Sequence, residues 1–167
     1  VQDVLDFGVF GWALSRFTGS WVGLIALADT MDSAATVEVG ADRHRFIQPL
    51  EQADVHIRLN DQPLDQEARA EAKRDPAIAF ARANGINKVL GATGRSKLGI
   101  VTAGKAYLDV RQAFAENGVV SDQDLENEEI AILKLGMTWP LDESAVRAFA
   151  QRIDTLLVVE EKRGFIE

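Results

Sequence analysis

The 167-residue sequence contains no cysteine. That absence excludes disulfides, thiolate nucleophiles and cysteine-ligated iron–sulfur clusters from this stretch of polypeptide. Positive charge is in deficit: 18 Lys and Arg stand against 26 Asp and Glu, for a formal net charge of −8. A chain this acidic is a poor partner for nucleic acid or an anionic membrane surface. Long apolar runs are missing as well. The longest, Trp21–Ala28, falls well short of the ~20 residues needed to span a bilayer, and no signal-peptide pattern opens the chain. A cytoplasmic location is expected. Histidine is scarce. His44 and His56 lack the HxxxH or HExxH spacing of ligand pairs, so they read as surface or interface residues and no metal site is expected. What remains is ordinary globular composition, 47% hydrophobic and 26% charged, sufficient for one real core. The first residue is valine, which reads as the interior of a longer open reading frame.

Periodicity divides the chain. Leu5, Val9, Trp12 and Arg16 predict a helix over Gln2 to Gly19, with Gly19 as terminator and Gly8 and Gly11 weakening it. Trp21–Ala28 fits a helix face or a buried strand equally well. Thr36–Val39 alternates and reads as a short strand, and Val55, Ile57 and Leu59 as an edge strand. Leu64–Arg74 reads as a helix. A second helix restarts with Asp75 as N-cap and Pro76 at its first position, and Asn84-Gly85 stops it. After the small-residue turn Gly91–Ser96 the order becomes strand, helix, strand, helix, strand. The elements are Leu98–Ala103, Gly104–Asn117, Ile130–Leu135, a helix capped by Asp142 and carrying Val146, Phe149, Ala150 and Ile153, and Thr155–Val159. Continuous apolar strands of this kind are covered on both faces. The fold class is therefore α/β, a parallel βαβαβ sheet layer with right-handed crossovers, preceded by a mixed α/β flank. Ser121–Glu129 reads as a solvated acidic loop.

Few residues carry chemistry. Gly99–Lys105 matches GxxxxGK by letter, but its interior is an apolar strand and Ala106 replaces the magnesium-binding hydroxyl. A turn at Gly104 into a helix remains, and a helix N-terminus attracts anions. Thr102, Gly104 and Lys105 are thus the candidate anion-binding residues, set against a purely structural turn. Glu160 and Glu161 follow the last strand, at the sheet edge where ligands gather. Adjacent strand residues face opposite ways, so one capping carboxylate and one solvated carboxylate are favoured over a catalytic pair. Asp29–Ser33 reads as a hydrogen-bonded turn rather than a ligand cluster. Phe10, Trp12, Phe17 and Trp21 read as core or interface.

Several segments, in order, resemble one family. "LGIVTAGKAYLDVRQAF", "KLGMTWPL" and "LLVVEEKRGFIE" resemble the transketolase C-terminal-like domain of the 2-oxoacid:ferredoxin oxidoreductases, above all the fused-chain indolepyruvate:ferredoxin oxidoreductases. "VLDFGVFGWALSRFTGSWVGLIALADTMDSAATVEV" resembles the last part of their pyrimidine-type thiamine-binding domain. "IRLNDQPLDQEARAEAK" and "AIAFARANGINKVLGA" resemble the connector between the two. The resemblance implies three portions: 1–48 as the remnant of the thiamine-binding domain, 49–94 as connector, and 95–167 as the transketolase C-terminal-like domain. It implies a parent enzyme that oxidatively decarboxylates an aryl 2-oxoacid to its acyl-CoA with ferredoxin as acceptor, using thiamine diphosphate, magnesium and [4Fe–4S] clusters. None of these cofactors is expected to bind this chain, and no catalytic residue is assigned to it. Its expected role is structural, with the remaining domains of the parent and a second copy as partners, the latter through Trp12, Phe17 or Trp21. The alternative reading is a stand-alone flavodoxin-like module that binds a small anion or a protein.

Overall fold

A computed structural model describes residues 1–50, 60 and 62–167, the side chain of Asp29 excepted. The edge strand expected around Val55, Ile57 and Leu59, and His56 with it, lie outside the described residues. The chain divides into two compact units, Val1–Asn84 and Gly85–Glu167.

The first unit is helical. Helix α1 spans Gln2–Thr18 and ends at Gly19, whose φ of 64° and N–H to the Ser15 carbonyl form a left-handed C-cap. Phe10 and Leu14 are buried on it. Gly11 allows a close approach on this face: a Cβ there would lie 3.1 Å from Val22 Cγ1, tighter than ordinary contact. Short α2 (Ala28–Met31) follows, then α3 (Pro63–Ala72) and α4 (Arg74–Ala83). The core is a cluster of rings around Phe80, with Phe17 at 5.0 Å, Phe10 at 5.4 Å and Phe46 at 6.4 Å between centroids. Outside it, Arg43 pairs with Asp6 at 2.8 Å and Glu38 at 2.7 Å. His44 lies 3.6 Å from Asp6 and stacks on Phe46.

Four expectations change here. Residues 21–27 form neither helix nor strand. Residues 36–39 form no strand, because alternation alone supplies no neighbouring ladder to satisfy backbone groups. Helix α4 begins at Arg74, with Lys73 at the N-cap, so Asp75 and Pro76 sit inside its first turn. The proline is still harmless there, since first-turn N–H groups have no helical acceptor. Phe17 packs on Phe80 and is not a free surface residue, whereas Trp12 and Trp21 are exposed.

The second unit is a sheet flanked by helices. Its elements are β1 (Lys88–Gly91), β2 (Ser96–Ala103), α5 (Gly104–Glu116), α6 (Asp122–Asn127), β3 (Ile130–Leu135), α7 (Glu143–Ala150) and β4 (Ile153–Val159). The strand order is β1-β3-β2-β4. Strands β2, β3 and β4 are parallel, as the apolar runs predict, and β1 adds an antiparallel edge. The two crossovers run in opposite directions across the sheet. Equal handedness then demands helices on opposite faces, and that is where they lie. Val110, Tyr107 and Phe114 of α5 and Leu125 of α6 pack with Ile100 and Ile132 on one face. Phe149 and Val146 of α7 pack with Val101, Leu133 and Leu135 on the other.

Two further corrections concern this unit. The sheet starts upstream of Arg95, because β1 pairs with β3 from Lys88 to Gly91, residues that the sequence reading left in the connector. The acidic stretch Ser121–Glu129 is not a loop. It holds α6, started by a capping box in which Ser121 accepts from the Asp124 N–H and Asp124 accepts from the Ser121 N–H. Leu125 is its one fully buried anchor. Helix α7 is capped as expected: Asp142 Oδ1 accepts from the Ala145 N–H at 3.0 Å.

Candidate functional site

The carboxyl edge of the parallel strands gathers the residues with chemical potential. Strand β2 ends at Thr102–Ala103 and turns directly into α5 at Gly104, whose φ is +55°, a value that disfavours any side chain. The N-cap position is Ala103, which has no side chain able to accept from the first-turn N–H groups. The helix therefore opens with a positive dipole end and no side-chain cap. Lys105 leans along the helix to Asp109, at 2.8 and 2.9 Å. Thr102 is fully buried, and its Oγ1 has no hydrogen-bond partner among the described residues.

The three candidate residues are contiguous and lie at one sheet edge. Sequence reasoning missed two neighbours. The sheet register aligns Lys88 of β1 with Lys134 of β3, Lys134 with Thr102 of β2, and Thr102 with Val159 of β4. Register partners share a face, and residues two apart along a strand share it too. Leu90, Ile132 and Ile100, each two residues from a member of this row, pack in the cluster beneath α5. The row Lys88–Lys134–Thr102 thus belongs to the α5 face, and Lys134 Nζ lies 4.6 Å from the centroid of Tyr107 on that helix. The available signal was parity: in Ile130–Leu135, Lys134 is the one charged residue and falls in step with Ile130 and Ile132. Close by, Asn87 Oδ1 accepts from the N–H groups of Gly136 and Met137 at 2.9 and 3.2 Å. This ties the start of β1 to the end of β3.

Glu160 is engaged by the chain's own tail. Its carboxylate accepts from the N–H groups of Phe165, Ile166 and Glu167, folding the tail back so that Ile166 packs on the α7-side core. Glu161 is exposed. Burial pushes the Glu160 carboxyl up, but the three backbone donors outweigh it and hold the group below its ordinary value. A carboxylate with a depressed folded value contributes stability above its unfolded value and loses it as pH falls through the folded one. The tail is therefore expected to stay pinned through the ordinary carboxylate range and to detach only as pH falls below it, through the depressed folded value. Amide hydrogen exchange at Phe165–Glu167 reads this directly, and Glu160→Gln should show fast exchange already at neutral pH. Unchanged protection in the variant would remove Glu160 from this role.

The donor set for metals and clusters is thin. No cysteine is present in the sequence, and among the described residues no three His, Asp or Glu gather as for a metal ion. The residues present do not fit an iron–sulfur cluster. Among the described residues no helix is long and apolar enough to cross a membrane.

The second unit is thus an α/β domain with a mixed, mainly parallel sheet, in keeping with the transketolase C-terminal-like type that the resemblance implies. Residues 87–167 match the family model of the indolepyruvate oxidoreductase domain. A curated relative aligns along almost the whole chain. Indolepyruvate oxidoreductase subunit IorA of Methanothermobacter thermautotrophicus is 27% identical over 179 residues, covering 99% of this chain. The chain spans only 26% of that relative's length. A solved 2-oxoglutarate:ferredoxin oxidoreductase from Magnetococcus marinus, with 2-oxoglutarate, coenzyme A and succinyl-CoA bound, matches at a TM-score of 0.44 and 16% identity, over 64% of this chain and 18% of that one.

Proposed function

We propose that the chain is an assembly portion of a larger 2-oxoacid:ferredoxin oxidoreductase that oxidatively decarboxylates indolepyruvate or a related aryl 2-oxoacid to its acyl-CoA. The alignment of the IorA subunit along both units carries this reading. On it, the first unit is the closing part of a pyrimidine-type thiamine-binding domain with its connector, and the sheet unit is the transketolase C-terminal-like domain. Thiamine diphosphate, magnesium and [4Fe–4S] clusters bind elsewhere in a cytoplasmic parent, which takes CoA and passes electrons to ferredoxin. The surface supports a scaffold role. Strand β4 lies at the sheet edge, yet its Leu156 and Leu157 are apolar and 41% and 48% exposed. An apolar groove of about 490 Å³, lined by Val110, Phe114, Val119, Leu157 and Val159 among others, runs beside it. In the first unit Trp12 is 74% exposed and Trp21 wholly so. Surfaces of this kind are covered in an assembly, by the parent's other domains and by a second copy.

Two measurements test the reading. Titrating the 167-residue chain with thiamine diphosphate and magnesium should give no heat of binding, and micromolar binding would place the reactive centre inside the chain. The full-length parent with its partner subunit should reduce ferredoxin when given indolepyruvate and CoA. A parent that carries its cofactors yet reduces no ferredoxin with any aryl 2-oxoacid would overturn the assignment.

A further inference from the structure

We infer that residues 38–47 are a latched strap across the helical unit. It opens from its Glu38 end while its Ile47 end stays held, and it covers a surface that fits another extended, cationic segment. The inference uses this unit alone and does not depend on the activity proposed for the parent.

The strap forms no helix or strand, so its backbone groups need partners from elsewhere. Two side-chain amides supply them in the same way. At one end Gln2 Oε1 accepts from the Glu38 N–H at 2.8 Å, and Gln2 Nε2 donates to the Glu38 carbonyl at 3.4 Å. At the other end Asn84 Oδ1 accepts from the Ile47 N–H at 2.8 Å, and Asn84 Nδ2 donates to the Ile47 carbonyl at 2.9 Å. Each amide sets a donor beside an acceptor, as a neighbouring strand would.

The two ends differ in what backs them. Asn84 also donates to the Phe80 carbonyl of α4 at 2.8 Å, and Phe46 next door joins the ring cluster on Phe10 and Phe80. That end is neutral and apolar. The Glu38 end hangs on charge. Arg43 forks onto both oxygens of Asp6, at 3.2 and 2.8 Å, and reaches Glu38 at 2.7 Å. Gln2 donates to the same Asp6 carboxylate at 2.9 Å, and His44 lies 3.6 Å from it. Exposed ion pairs weaken as salt screens them, whereas ring contacts and neutral hydrogen bonds do not. The strap thus has a salt-sensitive latch and a salt-resistant hinge. Opening the latch leaves the Gln2 amide and the Asp6 carboxylate side by side. A backbone clamp beside an anion suits an extended segment that carries a guanidinium.

Acid acts on the same latch. The Arg43 hydrogen bond foremost, with help from Gln2 and His44, outweighs burial and holds the Asp6 carboxyl below its ordinary value. Its contribution is present above the unfolded value and is lost as pH falls through the folded one.

The test is residue-level amide exchange on the ¹⁵N-labelled 167-residue chain. Added salt should speed exchange at Glu38 and leave Ile47 and Leu14, inside α1, unchanged. Arg43→Met, which keeps an apolar stem and loses the fork, should speed Glu38 exchange at least about tenfold and abolish its salt dependence. Asn84→Ala should speed Ile47 instead and leave the salt response of Glu38 in place. A tetra-arginine peptide should bind Arg43→Met more tightly than the parent chain, with shifts at Gln2 and Asp6, and adding Asp6→Asn should remove that gain. Unchanged protection of Leu14 shows that each variant is folded. Glu38 and Ile47 exchanging together at the rate of Leu14 would mean that the strap opens only when the unit unfolds, and would overturn the inference. Equal peptide binding by all the chains would overturn the competing surface.

Discussion

Replacing Gly91 with alanine is expected to cost the sheet unit about 2–5 kcal/mol. Gly91 closes β1 with a φ of +77°, and a Cβ there would fall 2.5 Å from the Ile130 carbonyl oxygen and 2.8 Å from Leu125 Cβ. Neither neighbour has room to yield. Ile130 O already accepts from the Ala92 N–H at 2.9 Å, and Leu125 is 0% exposed. Left-handed backbone costs a non-glycine residue about 1–2 kcal/mol, and overpacking in a closed site adds about 1–3 kcal/mol. A small domain has only about 5–15 kcal/mol in total. Urea denaturation followed by circular dichroism should show a midpoint far below that of the parent chain. Gly94→Ala, where a Cβ meets nothing within 4 Å, should be near neutral. A Gly91→Ala midpoint equal to that control would mean the strand end is far softer than drawn.

A second large effect is expected at Gly99, on the opposite face of the sheet. There a Cβ would lie 2.7 Å from both γ-carbons of Ile153 and 2.9 Å from its Cδ1. The strand uses glycine so that the side chain opening β4 can lie flat over β2. Isoleucine is stiff at χ1, so it has no easy rotamer of escape. Gly99→Ala should cost about 1–3 kcal/mol by overpacking, and Ile153→Ala about 2–3 kcal/mol by loss of packing. The double variant should cost less than the sum by 1 kcal/mol or more, because each change relieves the other. A thermodynamic cycle of the four proteins measures that coupling. Additivity within about 0.5 kcal/mol would show that the two residues do not share the space.

Much of the second unit was legible in its letters. The apolar run Leu98–Ala103 and the run Ile130–Leu135 could only be covered strands. Tyr107, Val110 and Phe114 could share a face only on a helix. Asp142 announced the start of α7. Other elements were not legible. Lys88–Gly91 is too short and mixed to declare itself, and becomes a strand because β3 offers it an edge. The six-residue α6 hid in an acid-rich stretch. Its capping box carries Asp124 in place of the usual glutamate or glutamine, and one residue, Leu125, supplies its anchorage. In the candidate site, Gly104 and Lys105 stood out by their place after a strand. Lys134 and Lys88 did not, since their proximity to Thr102 spans three strands distant in sequence.

Composition and periodicity by themselves settled what this chain is made of: a cysteine-free, acidic α/β polypeptide with parallel strands ending at a helix N-terminus. Those properties follow from local preference and from the count of each residue type. Tertiary structure alone decided the antiparallel edge strand, the tail pinned by Glu160, the glycines that let side chains pass, and the row of Lys88, Lys134 and Thr102. Each of these is a meeting of residues far apart along the chain. Such meetings are set by sheet register and packing, which no local window contains.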